Sequence, residues 1–234
     1  MNNYNYPNNP QGGYVYQDTA LQTTLVQRVF VWMALGLGIT GLTAYLTYSS
    51  NLLYILAPYM MFLILAELGL VFALSGLINR ISFPVATALF GGYSILNGLT
   101  LSTIFAVYTA DSIATTFFVC AGTFSAMAFY GYVTKRDLSK MGSILMMALI
   151  GLIIAGLVNI FLQSSMLSLV ASGIGVLVFT GLTAWDMQRI KQSFSGVYED
   201  SDEVKKYSVI AALSLYLDFI NLFLYLLRFL GNRK

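Results

Sequence analysis

Apolar residues in this chain fall in seven long blocks separated by short polar interruptions. A helix needs about 20 predominantly apolar residues to cross the hydrocarbon core of a bilayer. The pattern predicts seven such helices, roughly from Val29 to Tyr48, Leu52 to Ile78, Phe83 to Tyr108, Ile113 to Val133, Gly142 to Leu162, Met166 to Trp185, and Ser208 to Leu230. Short connections make neighbouring helices antiparallel, and the chain shows neither a soluble domain nor an internal repeat. The segment before the first block differs in kind. Residues 1–27, beginning MNNYNYPNNPQGGYVYQ, are rich in Asn, Tyr, Gly and Pro and read as a disordered tail. They lack the basic start and apolar centre of a secretory signal. The expected organisation is a tail over 1–27 and one all-α transmembrane domain over 28–234.

Glycines recur inside the blocks, at Gly36, Gly38 and Gly41 in helix 1, Gly151 and Gly156 in helix 5, and Gly173, Gly175 and Gly181 in helix 6. Small residues let membrane helices approach closely, so close packing is the expected role of most of them. The one long connection, from about Gln188 to Tyr207, carries the acidic run Glu199 to Glu203. That run lacks the ordered spacing and turn glycine of a calcium-binding EF loop and is expected to be solvated.

Composition agrees with lipid as the solvent. Of 234 residues, 58% are hydrophobic and 9% charged, against about a quarter charged in soluble domains. A net charge of +2 gives no reason to expect nucleic acid as a partner. Cys120 is the one cysteine, which excludes an internal disulfide and a cysteine-based metal site. The chain has no histidine, so a sensor of mild acidity would have to use carboxylates.

Charge placement predicts topology. Arg28, Arg80, Lys135, Arg136, Lys140, Arg189, Lys191, Lys205 and Lys206 precede helix 1 or lie in the connections after helices 2, 4 and 6, and the alternate loops carry no basic residue. This asymmetry places the N-terminus in the cytoplasm. Seven crossings would put Arg228, Arg233 and Lys234 outside, unless the last segment re-enters rather than crosses.

Against this apolar background the ionisable residues stand out. A charge at the centre of a membrane helix costs at least about 2.5 kcal/mol. Asp218 lies ten residues into helix 7. Ser214, Asp218, Asn221 and Tyr225 follow at spacings of four, three and four, which places them on one helix face. Such a stripe should face the bundle interior or a watery path. Asp186 ends helix 6, and two readings are open for it. It either pairs at the interface with Arg189, three residues on, or belongs to a buried site. The second reading requires helix 6 to continue to about Phe194, since otherwise Asp186 and Asp218 differ in depth by roughly 15 Å at the helical rise. Glu67 lies inside helix 2, and Arg80 follows that helix, as a headgroup anchor or folded inward against the carboxylates. Asn97 and Asn159 are expected to bond between helices.

A cavity with oxygen ligands and net negative charge favours hard cations or protons. The sequence has no Walker loop, HExxH or GxSxG motif, so neither an ATP-driven pump nor a membrane hydrolase is supported. The aspartate contexts WD and LD also lack the YD and GxGD patterns of intramembrane aspartyl proteases. The reading is of a non-enzyme without a cofactor.

Three segments resemble the Bax inhibitor-1 family, also called the transmembrane Bax inhibitor motif family. They are SLYLDFINLFLYLLRFLG at 214–231, FTGLTAWDMQRIK at 179–191 and ILNGLTLSTIF at 95–105. The compact length resembles the bacterial branch, which implies residence in the plasma (inner) membrane. The resemblance implies six helices around a central C-terminal helix, and a pH-sensitive calcium leak. In that mechanism the aspartates of helices 6 and 7 lie close together, which carries over to Asp186 and Asp218. These would also be the transient calcium ligands. Arg80 matches the basic residue that interacts with the pair, in a loop reduced here to NR. Glu67, Ser214, Asn221 and Tyr225 would line the polar path. Two close carboxylates in a low dielectric resist double ionisation, so such a pair tends to keep one proton in common. Two alternatives remain open at this point. One is a regulator of membrane proteases or stress and cell-death responses, acting through helix contacts without flux. The other is a proton-coupled solute carrier. The implied partners are the bilayer, calcium, protons and, on the regulator reading, a membrane protease.

Overall fold

A computed structural model of the chain describes residues 10–195, 197 and 200–234, with side chains from residue 21 onward. It contains seven helices long and apolar enough to span a membrane. We number them α1 (Pro10–Ser49), α2 (Leu52–Leu77), α3 (Phe83–Val107), α4 (Ala110–Val133), α5 (Ser139–Leu162), α6 (Ser165–Ser193) and α7 (Asp202–Leu230). Two of them are interrupted. A 3-10 turn at Ala57–Tyr59 divides α2 at Pro58, whose ring removes a backbone donor. In α3 the α-helix ends at Leu101 and resumes at Thr103, and Ser102 Oγ turns back to donate to Leu99 O at 2.6 Å.

The first helix begins earlier than the composition of the tail suggests. Its backbone is helical from Pro10, while residues 1–9 of the expected tail lie outside the described residues. Leu25, Val26 and Val29 are buried in the core. They lie at a spacing that puts them on one helical face, so apolar packing draws residues before Arg28 into the helix.

The last helix is the most buried, with two-thirds of its apolar window inside the protein (67%) against 6% for both α2 and α5. It packs against α1, α3, α4 and α6, while α2 packs on α3 and α5 packs on α6. Four helices line α7 closely; α2 and α5 stand one layer out. At 29 residues α7 is about 43 Å long, enough to cross. Its end is tied to the α3–α4 connection by Thr109 N donating to Asn232 O (3.2 Å) and Lys234 N donating to Val107 O (2.9 Å). The last segment therefore runs to the end of the bundle opposite the α4–α5 and α6–α7 connections, as an odd number of crossings requires.

Close approach explains only part of the glycine pattern. A Cβ at Gly36 would meet the Phe90 ring at 2.6 Å, one at Gly175 the Tyr225 ring at 2.6 Å, and one at Gly181 Leu145 at 2.7 Å. Gly38, Gly41, Gly151 and Gly156 have open space before them. The tightest approach is at Gly131, a position outside the expected set, where a Cβ would run into the Ala184 carbonyl oxygen.

The acidic run has structural work. Ser201 caps α7 by accepting from Val204 N at 3.4 Å, and Asp202 and Glu203 sit in the first turn, where the helix dipole favours negative charge. Asp200 takes a bidentate pair from Arg28, at 2.7 and 2.9 Å. Those hydrogen bonds from Arg28 hold the Asp200 carboxyl below the usual carboxylate range. The pair joins the start of the bundle to the connection before α7. Glu199 lies outside the described residues.

Candidate functional site

A cavity of about 620 Å³ opens where α2 and α5 stand away from α7. It is walled by α2, α3, α5, α6 and α7. Glu67 from α2, Asn97 from α3, Asp186 and Arg189 from α6, and Asp218 from α7 all line it. The face of α7 turned toward it carries Ser214, Asp218, Asn221 and Tyr225, the residues that share a stripe by spacing.

Helix α6 continues eight residues past Trp185 to Ser193. That continuation carries Asp186 inside the bundle rather than leaving it at a helix end. Asp186 is 7% exposed and Asp218 5%. Leu182, Ala184, Met187 and Ile190, all buried, hold this part of α6 in place, and Gly131 lets α4 come against it.

The two aspartates differ in their partners. Asp186 Oδ1 lies 3.2 Å from Arg189 Nη2, and the Arg189 guanidinium sits over the Trp185 ring, 4.9 Å from its centroid. Asp218 Oδ2 is buried and has no hydrogen-bond partner among the described residues. An unpartnered carboxylate oxygen in a low-dielectric interior is costly as an anion. Protonation or a cation would relieve that cost, and both are chemistries the cavity can host.

Glu67 occupies a different setting. Its Oε1 accepts from Thr100 Oγ1 at 2.7 Å and its Oε2 from Asn97 Nδ2 at 3.2 Å. Asn97 Oδ1 in turn accepts from the Tyr216 hydroxyl at 3.0 Å, and Tyr216 OH lies 2.6 Å from Thr40 Oγ1. A continuous polar network thus runs from α2 through α3 and α7 to α1. Asn97 bonds between helices, whereas Asn159 accepts from Ser164 N at 3.0 Å and closes the α5–α6 turn instead.

Arg80 sits apart from this site. It is exposed beyond the end of α2 and forms no ion pair among the described residues. The basic group at the cavity is Arg189. Its proximity to Asp186 was legible in the three-residue spacing, but its place in the wall depends on how far α6 extends. Tyr216 and Thr40 gave no signal in the sequence, since a tyrosine and a threonine among apolar residues read as ordinary helix positions.

Comparison with known proteins places these features in a family. The chain is 48% identical to the inner membrane protein YbhL of Escherichia coli (strain K12) over 230 residues, 96% of this chain and 98% of that protein. It is 47% identical over 222 residues to an uncharacterized protein of Borreliella burgdorferi, covering 93% and 96% of the two chains. It is 48% identical over 211 residues to the uncharacterized protein RP147 of Rickettsia prowazekii, covering 88% and 89%. Seven apolar helices and these likenesses make it a multi-pass protein of the bacterial inner membrane. The family model described as inhibitor of apoptosis-promoting Bax1 matches residues 22–234, and the chain belongs to this Bax inhibitor-1 family.

Proposed function

We propose that the protein is a pH-sensitive calcium leak of the inner membrane, gated by Asp186 and Asp218. The observation that carries this reading is the shared cavity, in which a buried carboxylate oxygen of Asp218 lacks a partner and Asp186 is held by Arg189. In the closed state the two carboxylates share a proton, directly or through one water. A further proton on the pair removes that shared hydrogen bond, changes the attraction between α6 and α7 and biases two packings of the bundle. Calcium, a hard cation, is a suitable cargo for a path lined by Glu67, Asp218, Asn221 and Tyr225. The leak is greater at acidic pH, as the family resemblance implies. The N-terminus is cytoplasmic, with the basic α4–α5 and α6–α7 connections on the same side.

The test is calcium influx into dye-loaded proteoliposomes containing only this protein, from about pH 5 to about pH 8. Influx that depends on the protein and rises with acidity is expected. Folded protein without influx would sink the leak and favour a regulator that acts through helix contacts. Saturable solute uptake driven by a proton gradient would favour a carrier. Orientation is tested separately with single cysteines at Ser139 and Ser195, both exposed. Labelling of both from outside intact cells would reverse it.

A further inference from the structure

On the flank away from the cavity, α1 and α4 both pack on α7, and α4 packs on α6, yet a groove of about 350 Å³ separates α1 from α4. Its floor is apolar and buried, made by Val26, Ala128 and Met187. Its walls are Phe30 and Phe129, the latter 68% exposed. The groove runs for about eight residues of α1, some 12 Å at the helical rise. Toward the α4–α5 connection it leads to a polar pocket of about 220 Å³ on the same three helices, one turn further along each. Gln22 lies one turn before Val26, Gly131 follows Ala128, and Lys191 lies one turn past Met187.

The pocket is basic. Lys135, Arg136 and Lys191 line it, with Asp137 the one acidic group. Asp137 accepts from Ser139 N at 2.9 Å and stays charged, its carboxyl held below the usual range by its hydrogen bonds to Ser139, so the pocket keeps an excess of positive charge. Lys191 Nζ donates to Tyr132 O at 2.7 Å and stands over the Tyr132 ring, which fixes the ammonium where the pocket meets the groove. An ammonium has three donors, so this bond does not exhaust it. Gln188 ties the pocket wall in place by donating to Arg136 O at 2.8 Å and accepting from Leu138 N at 2.9 Å.

We propose that this pocket and groove form a binding site for one anionic phospholipid, with the phosphate of the headgroup among Lys135, Arg136 and Lys191 and an acyl chain along Val26, Ala128 and Met187. Two features single out a lipid among anions. The apolar groove adjoins the charged pocket, one helical turn away on the same three helices, and both lie where a membrane-spanning bundle meets the interface. Basic residues at that level attract anionic headgroups, while a chain in the groove covers apolar surface that neither α1 nor α4 closes.

The test uses the full chain in neutral detergent, titrated with dioleoyl phosphatidylglycerol or dioleoyl phosphatidylcholine and read by native mass spectrometry. Phosphatidylglycerol is expected to bind about thirtyfold more tightly, two surface charges' worth of attraction. The double variant Lys135→Ala/Arg136→Ala, at exposed positions, should lose that preference while its thermal melting is unchanged. Ser125→Trp, at an exposed groove position, should weaken both lipids. Equal binding of the two lipids, or a preference that survives the double variant, would overturn the headgroup assignment. Binding unaffected by Ser125→Trp, or sn-glycerol 3-phosphate competing as well as the whole lipid, would overturn the groove and leave a simple anion pocket.

Discussion

Two residues apart on α7, Tyr216 and Asp218 point about 200° apart around the helix and solve the problem of a buried polar group in opposite ways. Tyr216 is fully buried, its hydroxyl partnered by Asn97 and Thr40, its ring set edge-on against Phe90 and Tyr93 at 5.8 and 5.6 Å. Asp218 looks across a cavity with one oxygen unpartnered. A satisfied network fixes one arrangement, because every alternative strands a donor or acceptor. A partly satisfied group gains from changing state. The Tyr216 side of α7 thus holds the bundle together, and the Asp218 side leaves a buried oxygen without a partner among the described residues.

The comparison breaks most visibly at Tyr216. Tyr216→Phe strands Asn97 Oδ1, while Thr40 Oγ1 keeps its bond to Ser94 O, and should cost about 1–3 kcal/mol, while leaving the pH response of calcium influx in place. Asp218→Leu replaces an uncompensated carboxyl group with an apolar side chain of the same branching and should be neutral or stabilising in a thermal melt. If Asp218→Leu proves the more damaging, the two faces have been assigned the wrong way round.

The next effect separates the two arginines. Arg189 lies in the cavity wall against Asp186, whereas Arg80 is exposed. Arg189→Ala removes the charge that favours the ionised form, so the midpoint of the influx profile should move up by about one pH unit. Arg80→Ala should move it less. Equal shifts would mean that Arg80 folds inward in the conducting form.

A smaller effect is expected at the Arg28–Asp200 clasp, far from either face. Asp200 has its carboxyl depressed in the folded protein, so its stabilisation is complete above its ordinary value, about 3.9, and is lost as pH falls through the lower folded value. The side chains are 28% and 35% exposed, so solvent screening limits Asp200→Asn to about 1 kcal/mol or less. The check is a melt of variant and parent at neutral and acid pH, with the difference shrinking in acid. A difference that grows in acid would contradict the pairing.

How much of this was legible in the sequence follows from the range of each interaction. Span number and the α7 stripe come from local periodicity, and the seven helices and the shared face of Ser214, Asp218, Asn221 and Tyr225 follow it. The end of α6 did not follow from hydropathy, because Asp186, Gln188, Arg189 and Lys191 interrupt the apolar run while the helix continues on tertiary packing of Met187 and Ile190. Composition hides the start of α1 for a similar reason, since Leu25 and Val26 join the core from a segment of polar composition. The Glu67–Asn97–Tyr216–Thr40 network spans four helices and has no local sequence signature. Arg80 was placed by resemblance, and the group found against Asp186 is Arg189.

The most direct measurement is the pH profile of calcium influx through Asp218→Asn, beside Asp186→Asn and the double variant, in proteoliposomes. Asparagine keeps the volume and hydrogen-bonding capacity of aspartate but does not titrate. Each single variant should fold, lose most of the pH dependence, and lose little more when the two are combined, since groups that act as one unit are not additive. Glu67→Gln should leave the profile in place. A pH profile unchanged in both single aspartate variants would contradict the gate.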